Sequence, residues 1–255
     1  MCHKLYWMES TDSTNLDAVR GKDANDDKTV WFAEYQSAGK GQRGNKWSSH
    51  RGENLTFSIL LKPTQIAAAG QYAISMACAV GVVNYLGKLG LQAKVKWPND
   101  IYIADRKICG MLIENFLDGD RLSVSICGIG LNVNQKEFPD NISNPTSVVR
   151  ELGCGELDIR KELNSLLDSI LELYDNLCND MEGTTQMLWN FFEEHLYRKD
   201  IWCEFEQTEY FEGGEPMRFE GCIRGIDRKS ARIVIEKRDG HRELYYFKEI
   251  RYIIL

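Results

Sequence analysis

The chain has 255 residues, enough to bury a full core and to form one large domain or one plus a small one. Its 43% hydrophobic and 27% charged content is ordinary for a globular protein, and a formal net charge of −7 argues against a partner that needs a broad basic face, such as nucleic acid. The eight cysteines show no C-x-x-C spacing and mostly sit in apolar runs, and no two of the four histidines are spaced as metal ligands, so a zinc cage, a disulfide framework and a Cys/His nucleophile pair all lack support.

Residues 5–8 read as a short strand, followed by several N-cap candidates from Ser10 to Asn15 and a helix over 16–20. A strand over 29–35 feeds the most informative stretch, Gly39-Lys40-Gly41-Gln42-Arg43-Gly44-Asn45-Lys46-Trp47. It packs three glycines and three cations into nine residues, so its backbone can approach a ligand closely while its charge suits an anion. It is not a Walker A loop, because no Gly-Lys-Ser/Thr follows at the required spacing. An ordinary surface turn remains the alternative on this stretch alone.

Residues 54–61 form a third strand with partial alternation, ended by Pro63. A buried helix is expected over 64–89 and stopped by Gly90; its polar interruptions make it too polar for a membrane span. Strand 93–97, a Pro98-Asn99-Asp100 turn and a hairpin of 101–104 with 107–114 follow, then a strand over 123–134 and a loop over 141–145. Gly110, Gly128 and Gly130 puncture neighbouring strands. They either leave a flat slot for a ligand or let the 66–89 helix pack tightly.

Residues 159–181 carry an apolar stripe of Leu163, Leu166, Leu167, Ile170, Leu171, Tyr174 and Leu177, and a further helix covers 184–196. From about residue 199 short strands recur (201–205, 217–226, 231–236, 243–247), with turns at Gly213-Gly214 and Asp239-Gly240. The organisation expected is residues 1–198 as one domain and 199–255 as a small all-β domain. No signal-peptide core opens the chain, which points to a cytoplasmic setting with no membrane partner.

Taken in order, Ser13-Thr14-Asn15, Tyr35-Gln36-Ser37-Ala38 with the glycine loop, Lys96-Trp97-Pro98-Asn99-Asp100, Asp105-Arg106-Lys107 and Gly128-Ile129-Gly130-Leu131-Asn132-Val133-Asn134 resemble biotin protein ligase. The resemblance is strong over residues 10–134 and weaker beyond. It implies an α/β (α+β) fold: a mixed sheet flanked by helices, like a class II aminoacyl-tRNA synthetase catalytic domain, plus a small SH3-like β-barrel. It also implies a two-step ligase. ATP, with Mg2+, activates biotin as biotinyl-5′-adenylate, and a lysine on the acceptor domain of a biotin-dependent carboxylase then takes the biotin. Such ligases often pair into homodimers through sheet edges, although no residue here picks out an edge. The start of the chain so close to Ser13 implies a type without an N-terminal DNA-binding domain.

Carried over residue by residue, the resemblance places Ser13, Thr14, Asn15 and Gln36 at biotin's ureido end. Lys40, Gly41 and Gln42 would run along the biotin chain and acyl-phosphate, with Arg43 ordering the loop. Lys107 would meet the carboxylate and then the phosphate, while Gly110, Gly128 and Gly130 clear space. Trp47 and Asn132 would lie at the adenine, Lys96 and Asn99 near the phosphates, and Asp100 near the incoming lysine. No residue is expected to be a dedicated metal ligand. Gln42 and Asn45 stand where the family commonly has a basic residue. Two rivals remain at this stage: a lipoate–protein ligase and a non-catalytic biotin-binding regulator.

Overall fold

The structure is a computed structural model that describes residues 3–140, 142–207, 217–247 and 249–254, and for Arg43 the backbone only. The Gly213-Gly214 turn expected from the sequence lies outside the described residues.

A seven-stranded mixed sheet carries the larger part of the molecule. Its strands are β1 (Leu5–Met8), β2 (Thr29–Ala33), β3 (Asn54–Leu61), β4 (Ala93–Lys96), β5 (Asp100–Ile103), β6 (Arg106–Asp118) and β7 (Arg121–Asn132). They run in the order β1-β2-β3-β7-β6-β5-β4, with β1 parallel to β2 and the remaining neighbours antiparallel. The edge of β4 is partly covered, since Val95 N–H donates to the His195 carbonyl and Tyr197 N–H to the Val95 carbonyl.

β3 shows how sequence sorts the two faces. All eight of its residues are buried, so the strand is not a simple inside–outside alternation. Leu55, Phe57, Ile59 and Leu61 join the main core, whereas Leu60 joins a separate small core with Ala18, Trp31, Val124 and Ile126. A residue's neighbours point to the opposite face, so Asn54, Thr56 and Ser58 share the Leu60 side. That side is covered by α1 (Thr14–Gly21). The main core is covered by α2 (Tyr72–Lys88), an almost wholly buried helix, with α4 (Ile159–Asn179) and α5 (Met181–Glu194) outside it.

The apolar stripe of α4 is buried as its spacing predicts, each leucine contributing about 2 kcal/mol by removal from water. A Cβ built on Gly81 of α2 would stand 2.6 Å from Ile170 Cγ1, so this glycine lets α2 and α4 approach closely.

The structure moves several helix boundaries, among them those of the helix expected over 184–196, which runs Met181–Glu194. The helix expected from residue 64 starts at Tyr72, because residues 66–68 bond instead to the β6–β7 turn: Leu122 N–H donates to the Ile66 carbonyl and Ala68 N–H to the Asp120 carbonyl. The helix expected to run to 181 stops at Asn179, where Asp180 caps α5 by accepting from Gly183 N–H at 3.0 Å. A short α3 (Val148–Leu152), not expected from sequence, precedes α4.

The second sheet is antiparallel and five-stranded, ordered β11-β10-β9-β8-β12. It contains β8 (Trp202–Gln207), β9 (Met217–Ile226), β10 (Ile233–Lys237), β11 (Arg242–Tyr245) and β12 (Ile250–Tyr252), the last unexpected from sequence. Trp97 Nε1–H donates to the Ala231 carbonyl at 3.0 Å, tying the segment after β4 to this sheet.

Candidate functional site

The floor of the site follows from strand register. Thr56 faces Gly130, and Gly130 faces Gly110; one row on, Ser58 faces Gly128, and Gly128 faces Leu112. Three glycines on one face of adjacent strands remove the side chains that would fill it. Cβ atoms built on these glycines would meet Asn15, Trp47 and Lys107 and nothing from α2. Helix packing therefore does not explain them: α2 lies on the other face.

Above this floor lies a hollow of about 50 Å³ bordered by Ser13, Thr14, Asn15 and Gln36 on one side and by Lys40, Gly41, Gln42 and Trp47 on another. Asn99, Asp100, Lys107, Gly110, Gly128 and Gly130 also line it. A neighbouring hollow of about 280 Å³ shares Gly41, Gln42, Trp47, Asn99, Asp100 and Lys107, and adds Lys96 and, from the second sheet, Ile250, Arg251 and Tyr252.

The α1 wall is tightly determined. Thr14 N–H donates to Gln36 Oε1 at 2.8 Å and its hydroxyl lies 3.2 Å from the same oxygen, which turns the Gln36 amide nitrogen away from Thr14. Ser13, Thr14 and Asn15 are all buried. Asp12 Oδ1 accepts from Ser13 N–H at 2.8 Å. The hydrogen-bonded guanidinium of Arg20 holds the Asp12 carboxyl down to about 2, so this backbone tie persists through the neutral range.

The loop wall is loosely determined. Its backbone closes on itself through Gly41 N–H to the Asn45 carbonyl and Trp47 N–H to the Gly39 carbonyl. Lys40 is exposed and makes no ion pair among the described residues. The Trp47 indole lies over Gly130 and Gly110, where a Cβ on Gly130 would overlap its ring. Its Nε1 is buried without a hydrogen-bond partner. An unpaired buried donor is costly, and here it borders the hollow, where an acceptor on a bound molecule would satisfy it.

Lys107 Nζ pairs with Asp100 Oδ1 at 2.7 Å and stands 5.8 Å from the centre of the Trp47 ring. Its charge is thus already shared with Asp100. Asn99 is anchored to β6, with Met111 N–H donating to its carbonyl at 2.9 Å. Lys96 Nζ sits 5.1 Å from the Tyr102 ring centre and 4.8 Å from that of Tyr252, facing the second hollow.

Asn132 borders neither hollow. It is buried at the end of β7 and its amide donates to the Thr146 carbonyl at 2.9 Å. The side chain of Arg43 lies outside what is described. Two residues that sequence reading passed over complete the wall. The Ser58 hydroxyl lies 2.8 Å from Thr14 Oγ1, and Glu114 Oε2 accepts from Asn15 Nδ2 at 2.8 Å. For Ser58 the signal was present: Asn54, Thr56 and Ser58 put polar groups at every second position of an otherwise apolar strand. Among the described residues no group of three or more His, Cys, Asp or Glu is placed to hold a metal ion. No helix among them is long and apolar enough to cross a membrane.

Comparison with known proteins supplies the context. Residues 7–132 match the model of the Biotin/lipoate A/B protein ligase family. The chain is 38% identical over 243 residues to the Bifunctional ligase/repressor BirA of Escherichia coli, covering 91% of this chain and 68% of that protein. It is 31% identical over 152 residues to a biotin--[acetyl-CoA-carboxylase] ligase of Paracoccus denitrificans, covering 56% of this chain and 62% of that protein. Its fold matches the biotin protein ligase of Aquifex aeolicus, solved in complex with biotin and ATP, with a TM-score of 0.76 and 26% identity over 98% of this chain and 99% of the other.

Proposed function

This chain belongs to the biotin protein ligase family, and from that premise we propose that its glycine-floored hollow joins biotin to AMP and passes the biotin to a lysine of a carboxylase acceptor domain. The observation that carries the reading is that Lys40 and Lys107 border one hollow, opposite a wall of buried hydrogen-bonding groups.

In the first step a biotin carboxylate oxygen bonds to the α-phosphorus of ATP and pyrophosphate leaves. Two anions must meet, and they repel unless cations bracket them. One lysine at about 4 Å contributes roughly 4 kcal/mol of raw attraction at an effective dielectric near 20. Only the part that grows in the transition state accelerates the reaction. Lys107 suits that task once the carboxylate competes with Asp100 for its ammonium. Lys40, which borders the same hollow, supplies the second charge. Trp47 Nε1–H stands ready for an acceptor on the nucleotide or the acyl-phosphate. Lys96 and Asn99 face the neighbouring hollow, where the remaining phosphates fit. Mg2+ would arrive with the nucleotide, its ligands being mainly phosphate oxygens and water.

In the second step the acceptor amine bonds to the acyl carbon and AMP leaves, the amine losing a proton. Asp100, released when Lys107 turns to the substrate, is the carboxylate placed to receive it. Ser13, Thr14, Asn15 and Gln36 hold the ureido ring, whose carbonyl and two N–H groups need both donors and acceptors. That polarity favours biotin over a dithiolane acid, and the Escherichia coli and Paracoccus relatives are named as ligases, which favours catalysis over regulation alone.

The test is direct. Incubation with radiolabelled biotin, ATP and a purified biotin-acceptor domain should place label on the acceptor and release pyrophosphate. Pyrophosphate release that depends on lipoate and not on biotin would refute the assignment.

A further inference from the structure

Glu114 lies on β6 in the cross-strand row Leu60–Ile126–Glu114, one row behind Ser58–Gly128–Leu112. Its Oε2 accepts from Asn15 Nδ2 at 2.8 Å, and the Leu112 carbonyl accepts from the same amide at 3.3 Å. On the other side the Ser58 hydroxyl lies 2.6 Å from Asn15 Oδ1. A carboxylate and a carbonyl can only accept, whereas a hydroxyl can donate. Asn15 therefore has one satisfied orientation: its NH2 toward β6 and its oxygen toward β3 and the hollow. At 4% exposure its orientation is set by these protein partners. Its Oδ1 occupies the space that a Cβ on Gly128 would take, so the acceptor lies directly over the floor of the hollow.

We propose that Glu114 is a positioning residue that locks Asn15 as a hydrogen-bond acceptor, and that this lock selects ligands whose ring end donates N–H, a cyclic urea above a ring without such donors. The inference rests on the biotin reading given above. With the amide reversed, NH2 would face the ring N–H, and two donors would meet with neither satisfied. Glu114 is separated from the ligand by Asn15, so its effect reaches recognition only through the amide it orients.

The experiment is biotin-dependent ATP–pyrophosphate exchange by the full chain. It is run with biotin and with the two cyclic carbamates in which one or the other ring N–H is replaced by oxygen. Wild-type exchange with biotin is read first; its absence overturns the biotin reading itself. Given that activity, Glu114→Lys, which puts a group that can only donate where the acceptor stands, should raise the KM for biotin about tenfold, the scale of one lost hydrogen bond, with kcat and the KM for ATP within about threefold. The KM for the carbamate that lacks the N–H facing Asn15 should be unchanged. Adding Asn15→Asp to Glu114→Lys reverses donor and acceptor between the two positions, restores an acceptor over Gly128, and should recover the biotin KM to within about threefold of wild type. The double variant also carries the test if the single variant does not fold. An unchanged biotin KM in Glu114→Lys, an equal loss for biotin and both carbamates, or a folded double variant with no recovery would each overturn the proposal.

Discussion

The two walls of the hollow are built on opposite plans. The α1 wall is buried and cross-bonded: Thr14, Asn15, Gln36, Ser58 and Glu114 form one connected network. The loop wall from Gly39 to Trp47 is held largely by bonds within itself, exposes Lys40 and leaves the Trp47 Nε1 unpaired. Preorganised groups discriminate, because they lose little freedom on binding. Glycine-rich segments cost more to fix and suit closure over a bound reactant. On the proposed function, the contrast means that the ring end of the hollow is preformed, whereas the phosphate end is finished by the ligand.

The sharpest way to break this division is at the cations. Lys107→Ala should lower the rate of adenylate formation about 100-fold or more, and Lys40→Ala about tenfold, in single-turnover pyrophosphate release. A loss within threefold for both would remove them as transition-state charges. The Lys107–Asp100 pair separates the two chemical steps. Asp100→Asn should slow transfer from preformed adenylate to the acceptor about tenfold while changing adenylate formation less than threefold. Equal slowing of both steps would deny Asp100 a role as proton acceptor.

The glycine floor offers a finer comparison. Gly128→Ala pushes against the rigid wall and should raise the KM for biotin about tenfold, while Gly130→Ala pushes against the loop through Trp47 and should act mainly on ATP. Matching effects on both substrates would mean the walls are not separable. Cleavage by trypsin after Lys40 or Lys46 should slow about tenfold when biotin and ATP are both present, which limited proteolysis measures. The smallest effect is expected at Gln42, where Gln42→Arg adds a cation beside the acyl-phosphate and should slow adenylate release about threefold.

Much of this was legible in the sequence because its signals are local. The glycine loop, Ser13-Thr14-Asn15 and the punctured strand around Gly128 each declare themselves within a few residues. Strands Leu5–Met8, Asn54–Leu61 and Met217–Ile226 match their expected bounds, since each is delimited by its own apolar pattern. Glu114 was not legible because its meaning lies in a partner 99 residues away, and Ser58 acts on Asn15 across 43. Asn132 is the converse case. Its place in a motif suggested a ligand contact, but strand direction turns its amide to the Thr146 carbonyl. The late start of α2 was hidden for a similar reason, since residues 66–68 answer to a turn more than fifty positions downstream.

The Trp97–Ala231 hydrogen bond makes the two sheets mechanically interdependent. Trp97 is followed directly by Pro98, Asn99 and Asp100, so a tether on its indole fixes the base of the strand that begins at Asp100 from outside. Cutting away the smaller sheet would give that indole nitrogen to water and slacken the rim of the hollow. The C-terminal strands thus act as a brace, and injury to them should register in chemistry performed at the opposite sheet.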